Sequence, residues 1–374
     1  MKASPHVMAD VLGRVGCITL NRPLALNALS LPMIRAISQH LLDWRDDARI
    51  DAIAFRGMRK DAASPAGASP FGVFCAGGDI RFFHQAVQSG NAELEDFFTE
   101  EYTLNHLIHT YPKASIAFMD GIVMGGGMGI SQGCRLRLVT EHTKMAMPET
   151  QIGLFPDVGG GYFLSRCPGH VGEWLALTGE TLSPGDAVAI GLADRCVAAS
   201  SMPAIWESLA TFDFGHPNAL ADLVAPFSVD NASQIAAFSD ALASHFSLDS
   251  VAEILHSLEA DGSPWAQKTA LQLRQKSPLM LHISLTQIRR ARGMSLADDL
   301  RMERDMMRHS FNPLHLNLTA QQSETVEGIR AQAIDKDRTP KWQPARIDDV
   351  TPAMVAPFFV SPWPAGAHPL RGLI

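Results

Sequence analysis

Two acidic residues lie in a short segment that is otherwise apolar or rich in glycine and proline. Glu149 follows Pro148 and Asp157 follows Pro156, within the stretch M-P-E-T-Q-I-G-L-F-P-D-V-G-G-G. A carboxylate in such surroundings is costly unless it is paired or used, and burial raises its pKa toward the range of a general acid or base. We therefore predict that both are catalytic. The alternatives are a buried salt bridge for Glu149 and, for Asp157, the N-cap of a helix starting at Val158.

Glycine-rich turns follow three strand-like segments. They are centred on Gly77-Gly78, on the stretch 121–129 and on the stretch 159–161. Glycine lets backbone N–H groups approach a ligand closely, and a helix starting near Gly126 would add its positive end. One N–H from Gly78 and one from Gly126 would make an oxyanion hole. The alternative is that these glycines only permit tight turns, but three such turns beside two acids favour function.

Other motifs carry less weight. Ser131 lies in a G-x-S-x-G match, but it is expected inside a helix rather than on the sharp strand-to-helix turn that a serine nucleophile needs. His106 and His109 share a helix face without a third ligand, so we predict no metal site. No G-x-G-x-x-G or Walker A pattern is present.

Composition excludes several classes of function. The 374 residues are 46% hydrophobic and 19% charged, which predicts a folded chain of one or two domains. The net charge of −8 gives no basic signature for nucleic acid, and no apolar run reaches the roughly 20 residues that span a bilayer. The five cysteines are too widely spaced for zinc or redox motifs, and the N-terminus lacks the apolar core of a signal peptide. We therefore predict a cytoplasmic protein without nucleic-acid or membrane partners.

Hydrophobic patterns predict an α/β protein. Strands alternate with helices up to about residue 200, and long helical stretches follow. The predicted strands are 7–12, 15–20, 50–55, 73–76, 114–119 and 135–140. The predicted helices are 32–48, 80–88, 92–109, one starting within 125–129, 266–275 and 278–292. Residues 58–72 are predicted to form a loop.

Several motifs resemble the crotonase (enoyl-CoA hydratase/isomerase) superfamily. They are N-R-P-x-A-L-N-A-L at 21–29, F-C-A-G-G-D-I at 74–80, D-G-x-x-M-G-G-G at 120–127 and Pro148-Glu149. The block 147–163, F-F-x-E-E-Y-x-L-N at 97–105, E-G-I-R-A at 327–331 and D-K-D-x-x-P-K-W at 335–342 are most similar to its 3-hydroxyisobutyryl-CoA hydrolase branch.

The resemblance implies a crotonase-like spiral of ββα turns with a helical C-terminal region, assembled as a trimer or hexamer. It implies a catalytic, CoA-binding core over 7–200, a helical region over 201–350 and an irregular tail over 351–374. It places Glu149 and Asp157 at the two acid positions and Gly78 and Gly126 in the oxyanion hole. It also implies that the acyl-CoA substrate is bound at four positions: Gly77, Asp79, Gly125 and Glu101. No cofactor is implied, because coenzyme A is part of the substrate and product.

The resemblance implies hydrolysis of a 3-hydroxyisobutyryl-CoA thioester, as in valine degradation, and two positions favour hydrolysis over hydration. Hydratases of the family carry a second glutamate where this chain has Gly129, and usually glycine where it has Asp157. The alternatives are an enoyl-CoA hydratase or isomerase using Glu149 alone and a non-catalytic CoA-binding subunit. One departure is Leu24, which stands where the family often has a lysine for the CoA phosphates. Arg22, Arg56 or Arg81 is expected to replace it.

Overall fold

The computed structural model describes residues 5–60 and 71–374. Most of the predicted loop 58–72 therefore lies outside the described residues. The strands are β1 (Val7–Leu12), β2 (Val15–Leu20), β3 (Ala52–Gly57), β4 (Ala114–Met119), β5 (Ile122–Met124), β6 (Leu136–Val139), β7 (Lys144–Ala146) and β8 (Arg195–Cys196).

Helices lie between the strands, and further helices follow the last strand. They are α1 (Leu31–Arg45), α2 (Ile80–Ser89), α3 (Glu93–His109), α4 (Gly126–Gln132), α5 (Gly160–Leu164), α6 (Val171–Thr178), α7 (Pro184–Ala189), α8 (Met202–Ser208), α9 (Ala219–Val224), α10 (Ser239–Phe246), α11 (Val251–Ala260), α12 (Pro264–Arg274), α13 (Pro278–Ala291), α14 (Leu296–Phe311), α15 (Glu324–Ile329) and α16 (Pro352–Val355). No helix of the described ranges is long and apolar enough to cross a bilayer.

The chain divides into two compact units that alternate along the sequence. The first, here called the sheet unit, comprises Met1–Gly78, Thr103–Ala146 and Thr181–Ile235. The second, the helical unit, comprises Asp79–Tyr102, Met147–Glu180 and Ala236–Ile374. Each unit is thus assembled from segments that are distant in sequence.

The sheet unit is built on a six-stranded sheet of order β1-β2-β3-β4-β6-β8. Only β1 and β2 pair antiparallel; the other neighbours are parallel. All six residues of β2 are buried, as expected for a strand covered on both faces. A second, two-stranded parallel sheet joins β5 to β7.

Aromatic side chains fill part of the sheet unit's core. Phe118 and Trp206 meet edge to face with ring centroids 5.1 Å apart. The guanidinium of Arg56 lies 4.1 Å from the Trp206 ring centroid, and its Nε donates to Thr19 Oγ1 at 3.0 Å. Because these contacts engage Arg56 in packing, it is a poor candidate for binding the CoA phosphates.

The helical unit contains α2, α5, α6, α10–α16 and the part of α3 up to Tyr102. Helix α14 carries a broad buried face that includes Leu300, Met306 and Phe311. The same face also buries Asp299 and Glu303, which an amphipathic pattern would not place there.

Most predicted elements are present, and one prediction is wrong. Residues 73–76 do not form a strand. Within this segment only Cys75 pairs with another strand, through a single pair of residues that it forms with Val123 of β5. In the predicted irregular tail, α16 and a 3-10 helix, Ala356–Phe359, precede residues without regular structure. The division at residues 200 and 350 stays a prediction.

Candidate active site

The helical unit brings three acids together in its interior. Glu101 lies on α3, Glu149 begins the 3-10 helix Glu149–Ile152, and Asp157 follows the short connection after it. Their exposed fractions are 2%, 6% and 6%. The two acids singled out by sequence are therefore buried in one unit, and Glu101 joins them.

Burial and mutual repulsion raise the pKa of each acid. Burial is the main reason that the pKa of Glu101 lies well above its usual range, and the charges of Asp157 and Glu149 raise it further. Burial likewise raises the pKa of Glu149 well above normal, again with Asp157 adding to the effect. The pKa of Asp157 is raised by burial to about 7, although the Tyr102 hydroxyl partly opposes this. Because the three carboxyls interact, the protonation of each depends on the others, and burial favours the protonated form of each.

Two carboxyl oxygens of this cluster have no hydrogen-bond partner among the described residues. They are Glu101 Oε1 and Glu149 Oε2. Buried polar atoms are almost always satisfied, so such exceptions favour a site that receives a ligand or takes part in chemistry. The buried salt bridge considered for Glu149 is absent from the ion pairs of the described residues.

Tyr102 is a site residue that the sequence analysis did not single out. Its hydroxyl donates to Asp157 Oδ2 at 2.9 Å, and the ring is fully buried. The alternative role of Asp157 as an N-cap is wrong. Helix α5 starts at Gly160, and the Asp157 side chain faces Tyr102 instead of the α5 amides. The signal that could have identified Tyr102 was its place beside Glu101 in the F-F-x-E-E-Y motif.

The segment between the two acids is shaped by Gly153. This residue caps the 3-10 helix with φ +67°, and a Cβ at this position would collide with the Glu324 carbonyl oxygen. Thr325 Oγ1 donates to the Gly153 carbonyl at 2.7 Å. Helix α15 thus fixes the turn that carries the chain from Glu149 toward Asp157.

The sheet unit brings the two glycine-rich turns together. Cys75 N donates to the Ile122 carbonyl at 3.0 Å, and Met124 N donates to the Cys75 carbonyl at 3.0 Å. A Cβ on Gly77 would lie 3.8 Å from Gly126 N. The predicted pair of N–H donors, at positions 78 and 126, therefore stands on adjoining turns.

The start of α4 requires glycine at more than one position. Gly125 precedes the helix with φ +47° and ψ −121°, a conformation that other residues avoid. The other glycine-rich segment, which contains Cys75, lies so close that a Cβ on Gly127 would collide with the Cys75 carbonyl oxygen. Gly126 occupies the first helical position, where a backbone N–H has no intrahelical acceptor. A backbone N–H without an intrahelical acceptor is what the predicted oxyanion hole requires of Gly126.

The remaining candidates have structural roles in the described residues. Asp79 caps α2, with its Oδ1 accepting from Phe82 N at 3.3 Å. Ser131 lies inside α4, and its hydroxyl donates to the Met128 carbonyl at 3.2 Å, which argues against a serine nucleophile. No group of three histidine, cysteine or acidic side chains suited to a metal ion occurs within 5–60 and 71–374. Substrate binding by Gly77, Asp79 and Gly125 stays a prediction.

Residues 15–359 match the model of the enoyl-CoA hydratase/isomerase family. A curated relative from Danio rerio, named 3-hydroxyisobutyryl-CoA hydrolase, mitochondrial, is 38% identical over 96% of this chain and 91% of its own. A relative from Arabidopsis thaliana, named 3-hydroxyisobutyryl-CoA hydrolase 1, is 35% identical over 96% of this chain and 92% of its own.

Two solved structures share the fold of this chain along nearly its whole length. A structure described as a carnitinyl-CoA dehydratase from Mycobacterium thermoresistibile has a TM-score of 0.86 and 34% identity, covering 99% of this chain and all of its own. One described as an enoyl-CoA hydratase from Rhodobacter sphaeroides 2.4.1 has a TM-score of 0.83 and 33% identity, covering 95% of this chain and 97% of its own. The chain belongs to the enoyl-CoA hydratase/isomerase family. The predicted family and crotonase-like α/β fold are confirmed.

The predicted cytoplasmic location is wrong. The relatives from Danio rerio, Xenopus tropicalis and Gallus gallus are all named mitochondrial, which points to a mitochondrial rather than a cytoplasmic location. The prediction rested on widely spaced cysteines and an N-terminus without an apolar core. Neither observation separates one reducing compartment from another.

Proposed function

We propose that this protein hydrolyses 3-hydroxyisobutyryl-CoA to 3-hydroxyisobutyrate and coenzyme A, as a step of valine degradation. The observation that carries the proposal is the buried cluster of Glu101, Glu149 and Asp157 with its unpartnered oxygens. Curated relatives named for this hydrolase, 35–38% identical over nearly the whole chain, support the choice of substrate.

In the proposed reaction, the thioester carbonyl oxygen accepts hydrogen bonds from the N–H groups of Gly78 and Gly126. Negative charge develops on that oxygen when the carbonyl carbon is attacked, so these donors stabilise the transition state more than the ground state. The adjoining turns of the sheet unit and the position of Gly126 at the start of α4 support this role.

Glu149 is the proposed catalytic base or nucleophile. It either takes a proton from the attacking water or attacks the carbonyl carbon itself, giving a mixed anhydride that water then cleaves. In both routes one water is consumed, the C–S bond breaks, and coenzyme A leaves as its thiol. The unpartnered Oε2 of Glu149 supports either role.

Asp157 and Glu101 are the proposed partners of the β-hydroxyl group of the substrate. The raised pKa values of both acids favour a protonated carboxyl next to an ionised one, and such a pair can donate and accept hydrogen bonds. The thiolate leaves readily, and no separate cofactor or metal takes part in the proposed chemistry. We also propose a homotrimer or hexamer.

The second candidate is hydration or dehydration of an enoyl-CoA, since both solved structures described above carry such descriptions. Hydration needs two glutamates to hold one water, and the family's second glutamate is Gly129 in this chain. This favours hydrolysis. A third candidate, a non-catalytic CoA-binding subunit, gives no role to three buried acids.

The deciding experiment follows free thiol release from 3-hydroxyisobutyryl-CoA, 3-hydroxypropionyl-CoA and acetyl-CoA, with hydration of crotonyl-CoA measured in parallel. We expect rapid thiol release from the β-hydroxyacyl substrates only. Hydration or double-bond migration without thiol release would assign the chain to the second candidate. Binding of coenzyme A without any turnover would support the third.

The rate of thiol release should increase with pH through about 7. Glu149 must be ionised to act as base or nucleophile, and burial raises its pKa well above normal. Asp157 must be ionised to accept a hydrogen bond from the β-hydroxyl, and burial raises its pKa to about 7. Below this range the cluster binds protons and loses its base. The measurement is kcat between pH 5.5 and 8.5, after subtracting the rate without enzyme. A profile that is flat or falls with pH would contradict it.

Replacing Tyr102 by phenylalanine should move the acid side of that profile to higher pH. The Tyr102 hydroxyl stabilises the ionised form of Asp157, so its removal raises the Asp157 pKa and should reduce kcat at pH 6.5 by about 10-fold. Tyr111→Phe is the matched control, because this buried hydroxyl donates to the Leu41 carbonyl within the sheet unit. Equal profiles for the two variants would refute the link between Tyr102 and Asp157.

A further inference from the structure

Helix α14 holds the backbone that follows Asp157. Glu303 Oε2 accepts from Gly159 N at 2.7 Å, and its Oε1 accepts from Gly161 N at 2.9 Å. One turn earlier on the same helix, Asp299 Oδ2 accepts from Tyr162 N at 2.8 Å. Two fully buried carboxyls thus receive three backbone N–H groups of one short segment.

Gln287 on α13 extends this contact to the other side of Asp157. Its Nε2 donates to the Pro156 carbonyl at 2.6 Å and to Glu303 Oε1 at 3.0 Å. The residue immediately before Asp157 and those shortly after it are therefore tied, through Gln287 and Glu303, to two neighbouring helices of the helical unit.

The segment needs such support because its backbone is strained. Val158 has φ +56° and Gly159 has φ +87°. A left-handed conformation is a real outlier for a β-branched residue such as valine, and strain of this kind costs on the order of 1–3 kcal/mol and persists only where surrounding contacts impose it. At position 161, glycine allows the close approach, since a Cβ there would collide with Asp299 Oδ1.

We propose that Glu303, with Asp299 and Gln287, positions Asp157 for catalysis. In this proposal they act through the backbone on both sides of Asp157, holding the strained turn that carries its carboxyl. The inference rests on the proposed function for its kinetic consequence, whereas the anchoring itself can be measured without any substrate.

The first test is Glu303→Gln. The amide nitrogen of glutamine would face a backbone N–H, so at least one of the two bonds to Gly159 and Gly161 is lost. Misplacement of a catalytic group by about 1 Å can cost about 100-fold in rate, so we expect kcat to fall about 10- to 100-fold while KM changes less than about threefold. Asp298→Asn is the matched control, because this acid lies on the same helix but faces Arg301 near the surface.

A double-mutant cycle separates positioning from a general structural role. If Glu303 acts through Asp157, then Glu303→Gln should reduce kcat little further in an Asp157→Asn background, since the two changes remove the same contribution. If the reductions in kcat caused by the two single changes multiply in the double variant, the proposal is overturned. If Glu303→Gln does not fold, Gln287→Met replaces it in the same cycle. That change removes only the two bonds from Nε2 and leaves an apolar side chain of similar size.

Hydrogen exchange tests the anchor independently of activity. In Glu303→Gln the amides of 159–162 should exchange at least about 10-fold faster than in the native protein or in Asp298→Asn. Unchanged exchange would overturn the proposal even if kcat falls. Conversely, absence of thiol release by the native protein would refute the proposed function, whereas faster exchange in the variant would still support the anchor.

Discussion

Replacement of Glu149 by glutamine is expected to lower kcat for thiol release by about 10³-fold or more while the fold is retained. A positioned general base typically contributes about 10²–10⁴ in rate, and glutamine keeps the shape of the side chain without its charge. KM should change little, because the proposed binding groups remain. The measurement is single-substrate kinetics with 3-hydroxyisobutyryl-CoA, alongside circular dichroism. Near-normal hydrolysis would remove Glu149 from the mechanism.

The stability of the Glu149→Gln variant should depend less on pH than the stability of the native protein. Burial raises the folded-state pKa of Glu149 above the unfolded value of about 4.3, so the native protein loses stability as pH rises from there toward the folded-state pKa. Glu149→Gln removes this contribution. The free energy of unfolding should therefore fall less between pH 5 and pH 8 than in the native protein. Glu207→Gln, at an exposed position on α8, is the control. It should leave kcat unchanged, and its free energy of unfolding should fall between pH 5 and pH 8 as much as that of the native protein.

Replacement of Gly127 by alanine is expected to destabilise the protein by about 3 kcal/mol or more and to abolish activity. The added Cβ would meet the carbonyl oxygen of Cys75, and that oxygen cannot retreat without weakening its bond from Met124 N. Overpacking of a rigid site typically costs about 1–3 kcal/mol, and backbone contacts add to it. The measurement is urea unfolding followed by fluorescence.

Gly262→Ala is the control for that experiment. A Cβ at position 262 would meet no heavy atom within 4 Å, so the change should stay within about 0.5 kcal/mol. If Gly127→Ala were as stable as Gly262→Ala, the close packing of the two glycine-rich turns would be in doubt, and with it the proposed placement of the N–H donors.

Local patterns were sufficient to predict much of the sheet unit. β1, β2 and β4 have the predicted bounds, because each is a short, mostly apolar segment ended by glycine, proline or polar residues. The segment 73–76 has the same appearance but forms no strand. Its Cys75 backbone groups pair with β5 rather than with the main sheet, and only tertiary structure decides between these partners.

Only part of the candidate site could be predicted from the sequence, again because tertiary structure decides some of its contacts. Glu149 and Asp157 stand out because charge is rare in their neighbourhood, and the family resemblance added Glu101. Asp299 and Glu303 lie on a helix that carries five other charged residues, so composition hides them. Their spacing of four residues on the apolar face of α14 was the available signal. What they bind could not be read from sequence, since 144 residues separate Glu303 from Gly159.

The wide separation between Glu303 and the turn it holds has a consequence during synthesis on the ribosome. Ribosomes add about 5–20 residues per second, so a gap of 144 residues corresponds to roughly 7–30 s. During that interval Asp157 has emerged, but the helix that fixes its backbone has not yet been made. The sheet unit, which ends at Ile235, has all its residues before α14 exists. The nascent chain therefore passes through a stage in which the two glycine-rich turns of the sheet unit can form while the acid segment is still unanchored.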